Sequence, residues 1–224
     1  MMDPENAVSL FRKALLAWYT EQGRVFPWRG ERNPYQVLVA ERMLHRTRAQ
    51  QVVAVYHAFL ARYPTVRHLA AAISSEVLDV LAPLGLAWRF ETFIPMARYL
   101  VERLDGQVPN TLDELLSVPG VGPYTAAAVL AFAFGQPVAV VDTNTIRVAG
   151  RYLQGATWTG DARKRRSVRA TVSDLFDPCQ PAVANYAILD LGALICVARA
   201  PLCGVCPVAM GCRYRLSAIS AVSL

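Results

Sequence analysis

Apolar residues recur with a helical period along most of the chain. In residues 4–21, Val8, Phe11 and Leu15 fall on one stripe, which is typical of an amphipathic helix. Residues 123–134 are apolar on all sides, which predicts a helix that is buried all round. Glycine and proline separate these segments from others with the same period. We predict further helices over residues 34–46, 50–62, 66–72, 75–82, 89–104 and 111–117, and again up to about residue 195.

Only the stretch 138–141 (VAVV) has the composition of a short strand, and the sequence offers it no evident partner strand. We therefore expect an all-α fold. The 224 residues allow one large domain or two smaller lobes.

The composition is that of a compact globular protein. Apolar residues make up 54% of the chain, which excludes intrinsic disorder. No apolar run reaches the length of a membrane span, and the acidic start MMDPENAVSL lacks the basic segment of a secretory signal. We therefore expect an intracellular, cytoplasmic protein that binds no membrane.

The basic residues are almost all arginine. The formal net charge is +6, and 21 of the 23 basic residues are arginine because only Lys13 and Lys164 are lysines. Arginine binds phosphate with two parallel hydrogen bonds and stacks on bases, which is consistent with a nucleic-acid partner. A genome rich in G·C pairs also replaces lysine by arginine, and composition alone leaves both explanations open.

Four cysteines follow the spacing C-x6-C-x2-C-x5-C: Cys196, Cys203, Cys206 and Cys212. Four thiolates suit either a structural zinc ion or a [4Fe–4S] cluster. Zinc sites usually contain two C-x2-C pairs and this chain has one, which favours the cluster. Two disulfides or four unrelated thiols are the alternatives, and a reducing compartment disfavours disulfides. Cys179 lies outside this spacing and is expected to be an ordinary thiol.

Residues 118–126 read VPGVGPYTA and lie between two predicted helices. Gly120 and Gly122 permit a tight turn with positive φ, and the amides that open the next helix can bind a phosphate. A plain connection between helices has the same composition, so this segment alone leaves both interpretations open.

Two carboxylates have unusual positions. Asp142 follows an apolar run and precedes a helical pattern, so it is most simply the N-cap of that helix. If it also faces a cleft, its carboxylate has the position of a catalytic group. Glu41 lies on the apolar stripe of its helix with Val37, Leu38 and Leu44. Because burial of a carboxylate is costly, we expect Glu41 either in an ion pair with arginine or as an acid whose proton affinity is raised by desolvation.

Several short motifs, taken in order along nearly the whole chain, resemble the helix-hairpin-helix base-excision DNA glycosylases that carry an iron–sulfur loop. Each motif is weak alone, whereas their co-linear order is specific. The motifs are FPWR at 26–29, NPY at 33–35, AERMLHRT at 40–47, the VPGVGPYT hairpin, VDTN at 141–144, LGALIC at 191–196 and the cysteine spacing.

This resemblance implies a two-lobe, all-α fold, a [4Fe–4S] cofactor and, as partner, double-stranded DNA with a mismatched or damaged base. A six-helix lobe with the hairpin would cover residues 28–137. A cluster lobe would combine residues 1–27 with 138–224. We expect a monomer, associated with the nucleoid if the source is prokaryotic.

The resemblance also implies a catalytic site. The target nucleotide would be flipped into a pocket between the lobes, where Glu41, Tyr124 and Asp142 are expected to meet. Asp142 would stabilise positive charge on the sugar or position water as the N-glycosidic bond breaks. Glu41 would protonate a departing purine, or orient a departing pyrimidine.

DNA contacts follow from the same resemblance. The hairpin would bind the phosphate backbone through Gly120, Val121, Gly122 and Thr125. Arg46 would fill the gap left by the flipped base, and Leu86 would lie in a second wedge loop. His45 would contact the flipped base or the opposite guanine.

The motifs also bear on the substrate. Strand-cleaving members of the family carry lysine at the position of Tyr124, so we expect a monofunctional glycosylase that leaves an abasic site. Adenine glycosylases usually have Gln at Arg46, Tyr at Leu86 and DGN at 142–144. Most also have a further C-terminal domain, whereas this sequence stops twelve residues after Cys212. These differences favour removal of thymine or uracil opposite guanine over removal of adenine. A catalytically silent DNA-binding or redox-sensing module is the remaining alternative.

Overall fold

The structure is a computed structural model that describes residues 3–85, 87–158 and 160–222. Throughout these ranges the regular elements are helical and none is a strand, so the all-α prediction is confirmed. The α-helices are α1 (Pro4–Gln22), α2 (Pro34–Leu44), α3 (Ala49–Arg62), α4 (Val66–Ala70), α5 (Ser74–Leu81), α6 (Phe93–Leu104), α7 (Leu112–Ser117), α8 (Pro123–Phe132), α9 (Thr143–Ala149), α10 (Arg166–Leu175), α11 (Pro181–Leu194) and α12 (Arg213–Val222). In the part of the chain described, no helix is both long and apolar enough to cross a bilayer.

Short helical turns supplement these helices. Five are 3-10 turns, and the segment after α9 is a wider π turn. They are Ala82–Leu84, Ala87–Arg89, Ala162–Lys164, Cys203–Val205, Ala209–Gly211 and the π turn Gly150–Gln154.

The chain divides into two compact units. Unit 1 combines Met1–Arg24 with Pro137–Leu224, and unit 2 is Val25–Gln136. The functional lobes assigned to 28–137, and to 1–27 with 138–224, stay a prediction.

Unit 2 contains α2 to α8. Helix α2 packs against α3 and α8, α4 packs against α6, and α7 packs against α8. Every residue from Thr125 to Phe132 is buried, as the apolar pattern of this helix predicts. Phe59 contributes to the same unit's core, with ring centroids 5.6 Å from Phe93 and 5.1 Å from Tyr63. This packing holds the first turn of α8, where the hairpin enters.

Unit 1 contains α1 and α9 to α12. Phe11 and Leu15, predicted on the apolar stripe of α1, are at most 2% exposed. They pack in a core with Ile146, Val148 and Leu191 from α9 and α11. Burial of side chains of this size stabilises the folded state by roughly 1.5–3 kcal/mol each. The core therefore anchors α9, which begins directly after Asp142.

The stretch 138–141 is not a strand, and the reason is a single side chain. The Val140 N–H donates to Oδ1 of Asn185 at 2.8 Å, and Nδ2 of Asn185 donates to the Val138 carbonyl at 2.9 Å. The buried amide of Asn185 thus makes the hydrogen bonds that a partner strand would otherwise supply. It fixes the extended segment that leads to Asp142.

The start of one predicted helix differs clearly from the structure, whereas the other predicted helix ends lie within two residues of those observed. The helix predicted over 89–104 begins at Phe93, because Arg89 ends a separate 3-10 turn and residues 90–92 form an ordinary turn. The sequence TLDE at 111–114 has the pattern of a capping box. Thr111 is the N-cap residue of α7, but its hydroxyl donates to the Glu114 carboxylate at 2.6 Å and accepts no backbone N–H, so the box does not form.

Candidate functional site

The turn between α7 and α8 has the geometry of an anion-binding hairpin. Gly120 has φ of +79°, and a Cβ there would lie 2.5 Å from Oγ1 of Thr92. Both the backbone conformation and the lack of space therefore favour glycine at this position. The Val121 N–H closes the turn by donating to the Val118 carbonyl at 3.0 Å. The N–H groups of Gly120 and Gly122 donate to no acceptor in the described chain, and a Cβ at Gly122 would meet no atom within 4 Å. Both donors precede the first turn of α8, where an anion is favoured, and the space beside Gly122 is open.

Residues predicted to contact DNA from the start of α8 differ in exposure. Tyr124 is half-buried in the first turn of this helix. The side chain of Thr125 is buried, with the residue 9% exposed, so a DNA contact here would use its backbone N–H. That N–H lies in the first turn of α8, where no carbonyl of the same helix is available to accept it. Val121 is 7% exposed and its N–H is already used, so its part in the hairpin is packing and turn closure.

Glu41 is buried on the apolar side of α2, as its position in the sequence predicts. The residue is 4% exposed, and its neighbours Val37 and Leu38 are at most 2% exposed. Because α2 packs against α8, this carboxyl belongs to the same packed layer as the hairpin helix. Its role in the reaction stays a prediction.

The turn between α2 and α3 carries two exposed side chains, His45 and Arg46. Arg46 has φ of +60°, a left-handed conformation that is costly for any residue with a side chain. Such strain persists where surrounding structure enforces it, and it clusters at functional sites. The predicted wedge residue Leu86 lies outside the described residues.

Sequence reasoning missed two arginines that hold these turns. Arg42 binds the hairpin and Arg89 binds the α2–α3 turn, in both cases through the guanidinium. Arg42 lies inside the AERMLHRT motif, which was the only available signal. The burial of Arg89 depends on residues distant in sequence, so no local pattern indicates it.

Asp142 is the N-cap of α9, and its carboxylate is held in one orientation. Oδ1 accepts the backbone N–H groups of Asn144 at 2.8 Å and Thr145 at 2.7 Å. Oδ2 accepts Nδ2 of Asn144 at 3.0 Å. The Asp142 N–H donates in return to Oγ1 of Thr145 at 2.9 Å, so Thr145 fills the place that Glu or Gln takes in the usual capping box.

Burial raises the pKa of Asp142 above its ordinary value of 3.8, although hydrogen bonds from Thr145 and Asn144 act in the opposite direction. The ionised carboxylate is therefore poorly solvated while it is rigidly oriented. A positive charge that develops beside it would be stabilised more strongly than in water.

Arg147 connects this cap to the cysteine segment. Its Nη2 donates to Oδ1 of Asn144 at 2.8 Å and to the Gly192 carbonyl at 2.7 Å. Its Nε donates to the Cys196 carbonyl at 2.7 Å. Sequence reasoning did not single out this residue.

All four cysteines of the predicted cluster line one pocket: Cys196, Cys203, Cys206 and Cys212. Burial raises the pKa of Cys206 to about 11, and it also raises the pKa of Cys212. Nη1 of Arg151 donates to Sγ of Cys196 at 3.5 Å. Burial disfavours the thiolate form of Cys206 and Cys212, and an iron–sulfur cluster would compensate for that cost, so the four-cysteine donor set fits such a cluster.

The four cysteines do not form a compact site for a single ion. Across the described ranges, no three His, Cys, Asp or Glu side chains converge on a point suited to one metal ion. In a [4Fe–4S] cube each thiolate binds a different iron atom, so the ligands surround a larger group.

The predicted catalytic residues fall in both units. Glu41 and Tyr124 belong to unit 2, and Asp142 belongs to unit 1. Their meeting at one flipped nucleotide stays a prediction.

Comparisons with known proteins agree with the hairpin and the fold. A family model described as "Helix-hairpin-helix motif" matches residues 103–132. The thymine-DNA glycosylase of Aeropyrum pernix is 37% identical over 220 residues, which is 94% of this chain and 96% of the relative. The human adenine DNA glycosylase is 36% identical over 93% of this chain, but the chain spans only 40% of that relative's length. A solved thermostable thymine-DNA glycosylase superposes with a TM-score of 0.86 at 30% identity, over 95% of this chain and 98% of that one.

The fold and the hairpin together define an all-α helix-hairpin-helix protein. With a relative 37% identical that the chain covers almost completely, the chain belongs to the helix-hairpin-helix DNA glycosylases, enzymes that hydrolyse N-glycosyl bonds. The resemblance drawn from the sequence motifs is thus confirmed.

Proposed function

We propose that this protein is a monofunctional DNA glycosylase that flips thymine or uracil out of a mismatch with guanine, excises it and leaves an abasic site. The observation that carries this proposal is the cap of α9. There, the Asp142 carboxylate is desolvated and is oriented by two backbone N–H groups and one amide.

In the proposed reaction the bond between the base and C1′ of the sugar breaks, and positive charge develops on the sugar. Asp142 stabilises this charge electrostatically or positions the attacking water. The water oxygen bonds to C1′, one water proton is lost, and the departing base takes up a proton. Glu41 orients the departing pyrimidine within its hydrogen-bond network.

DNA binding is assigned to the hairpin and the neighbouring turn. The open N–H groups of Gly120 and Gly122 suit a phosphate oxygen, and the dipole of α8 adds to this attraction. Arg46, exposed in a strained turn, suits the gap that a flipped base leaves in the duplex. His45 beside it is assigned to the flipped base or the opposite guanine.

We further propose a [4Fe–4S] cluster at the four-cysteine cavity, with Cys196, Cys203, Cys206 and Cys212 as ligands. The cluster would hold the cysteine segment in one conformation and so stabilise unit 1. It takes no part in the bond-breaking step.

The choice of base rests on residues and on relatives. Arg46, Leu86 and Thr143 occupy positions where adenine glycosylases usually have Gln, Tyr and Gly. The Aeropyrum pernix relative named for thymine matches this chain over 96% of its length. The competing function is adenine excision, in which the buried Glu41 would protonate the departing purine.

One panel of duplexes tests the base choice. The protein is incubated with T:G, U:G, A:G and A:8-oxoguanine duplexes, and half of each sample is then treated with alkali. We expect strand breaks in the T:G and U:G duplexes after alkali only. Excision confined to the duplexes that contain adenine would overturn the assignment in favour of the competing function.

Two variants complete the test. Asp142→Asn should retain duplex affinity and lose excision, whereas a catalytically silent binding module would be unaffected in both measurements. Borohydride should trap no covalent complex with the wild-type protein, because Tyr124 replaces the lysine that would form a Schiff base. Tyr124→Lys is the matched positive control for trapping.

A further inference from the structure

Arg42 forms a three-way clamp on the hairpin side of unit 2. Its Nη1 donates to the Gly120 carbonyl at 2.6 Å. Its Nη2 donates to Oγ1 of Thr92 at 2.5 Å and to the Arg89 carbonyl at 2.9 Å. The Arg42 guanidinium therefore connects the carbonyl of the hairpin glycine to the carbonyl of Arg89.

Arg89, whose carbonyl accepts from Arg42, forms a second clamp with its own side chain. The residue is 4% exposed, and its Nη1 donates to Oγ1 of Thr47 at 2.9 Å. Its Nη2 donates to the carbonyls of Leu84 at 3.1 Å and Gly85 at 3.0 Å. Arg89 thus joins the α2–α3 turn to the turn after the Ala82–Leu84 segment.

Both clamps hold positive charge among neutral groups. Every hydrogen-bond acceptor of the two guanidiniums is a carbonyl or hydroxyl oxygen, and within the described ranges neither forms an ion pair. The rings of Phe93 and Phe90 lie 5.8 Å from Arg42 and 4.8 Å from Arg89, a weak substitute for water. Burial accordingly lowers the pKa of each arginine, and their mutual repulsion lowers that of Arg42 further.

An arrangement this costly needs a compensating gain. The planar fork of arginine reaches several acceptors at fixed angles, which a lysine ammonium does not. The turn next to Thr47 contains Arg46 in a left-handed conformation, and the Thr47 N–H closes that turn on the Leu44 carbonyl at 3.1 Å. Arg89 therefore fixes the residue next to Arg46, because it binds the hydroxyl of Thr47.

We propose that Arg42 and Arg89 are positioning residues that lock the hairpin and the strained α2–α3 turn into one rigid element. When the hairpin binds the backbone, the side chain at residue 46 is then already placed for insertion into the duplex. The inference rests on the proposed function, since it assigns the hairpin to phosphate and the turn to the flipped-base gap.

The first test separates anchoring from charge. Thr47→Val removes the hydroxyl that Arg89 binds and keeps the side-chain shape, and Thr47→Ser retains the hydroxyl as the matched control. Base flipping is followed by fluorescence of 2-aminopurine placed next to T in a T:G duplex, and affinity is measured on an undamaged duplex. We expect Thr47→Val to slow the flipping phase and single-turnover excision about tenfold, with undamaged-duplex affinity within about twofold. Thr47→Ser should behave as wild type.

The second test addresses the link to the hairpin. Arg89→Lys keeps the charge and loses the fork, and it should reproduce Thr47→Val in the flipping assay. Thr92→Val, with Thr92→Ser as its control, should weaken undamaged-duplex affinity and slow flipping together, because it loosens Arg42 at the hairpin. Thermal unfolding of each variant shows whether it is folded, and the two threonine pairs decide the outcome if Arg89→Lys is not.

Equal flipping rates for Thr47→Val and Thr47→Ser would overturn the inference. So would a Thr92→Val variant that loses affinity without any change in flipping. If the wild-type protein excises neither T nor U, the proposed function fails. In that case the two threonine pairs are compared with 2-aminopurine next to the adenine of an A:8-oxoguanine duplex, where flipping again shows whether the turns act as one element.

Discussion

Nε of Arg147 donates a 2.7 Å hydrogen bond to the backbone carbonyl of Cys196. The same guanidinium reaches Oδ1 of Asn144, whose amide in turn donates to Oδ2 of Asp142. The proposed catalytic carboxylate and a proposed cluster ligand are thus joined by one path of hydrogen bonds within unit 1. The cysteine segment therefore has a direct means of orienting the carboxylate.

Replacing Arg147 with Lys should break this path, because an ammonium does not replace the fork that spans Asn144 and Cys196. We expect excision to slow by about 10- to 100-fold, as for other residues that orient a reacting group. Single-turnover rates at several pH values measure this, and the pH profile should shift because Asn144 is no longer fixed against Asp142. Arg163→Lys, on an exposed segment, is the control, and equal rates for both variants would contradict the prediction.

Asp142→Asn should abolish excision and stabilise the fold. Loss of the charge costs about a thousandfold or more in rate, while asparagine is an equally good N-cap. Because folding raises the pKa of Asp142, its ionisation lowers the free energy of unfolding as pH rises through the folded pKa. The gain in melting temperature over wild type should therefore be largest at about pH 8 and shrink toward about pH 4. A variant that melts below wild type at the higher pH would exclude this account.

The two hairpin glycines should respond differently to the same substitution. Gly120→Ala forces a Cβ against Thr92 at positive φ, so we expect a loss of about 1–3 kcal/mol in stability, measured by urea unfolding. Gly122→Ala meets open space at a φ of −102°, so its stability should change by less than about 1 kcal/mol. Its duplex affinity should nevertheless fall, because the methyl group lies on the face assigned to phosphate. Unchanged affinity for Gly122→Ala would place the backbone contact elsewhere.

Cys206→Ser should lose bound iron and lower the thermal stability of the protein as purified, because it removes one thiolate from the four-cysteine cavity. Cys179→Ser is the matched control, since Cys179 is exposed and does not line that cavity. Iron content and visible absorbance of both variants decide the matter. Equal iron in the two proteins would remove Cys206 from the ligand set.

Several features of the candidate site could be predicted from the sequence because each depends on neighbouring residues. Asp142 as a helix N-cap and the glycine turn before Pro123 depend on residues within a few positions of each other. Glu41 on the buried face of α2 follows from helical period alone. The segment 138–141 shows the limit, since a side chain 45 residues away replaces the partner strand that its composition suggests.

The sequence by itself determined the helical architecture, the hairpin, the cap at Asp142 and the family. Hydrophobic periodicity, turn-forming residues and the order of the motifs are all properties of the linear sequence. Only the tertiary structure decided that Arg42 and Arg89 tie two turns together and that Arg147 links Asn144 to Cys196. The bonds from Arg42 to Gly120, from Arg89 to Thr47 and from Arg147 to Cys196 join residues 42 to 78 positions apart, and an arginine's surroundings are set by the packing of the whole unit.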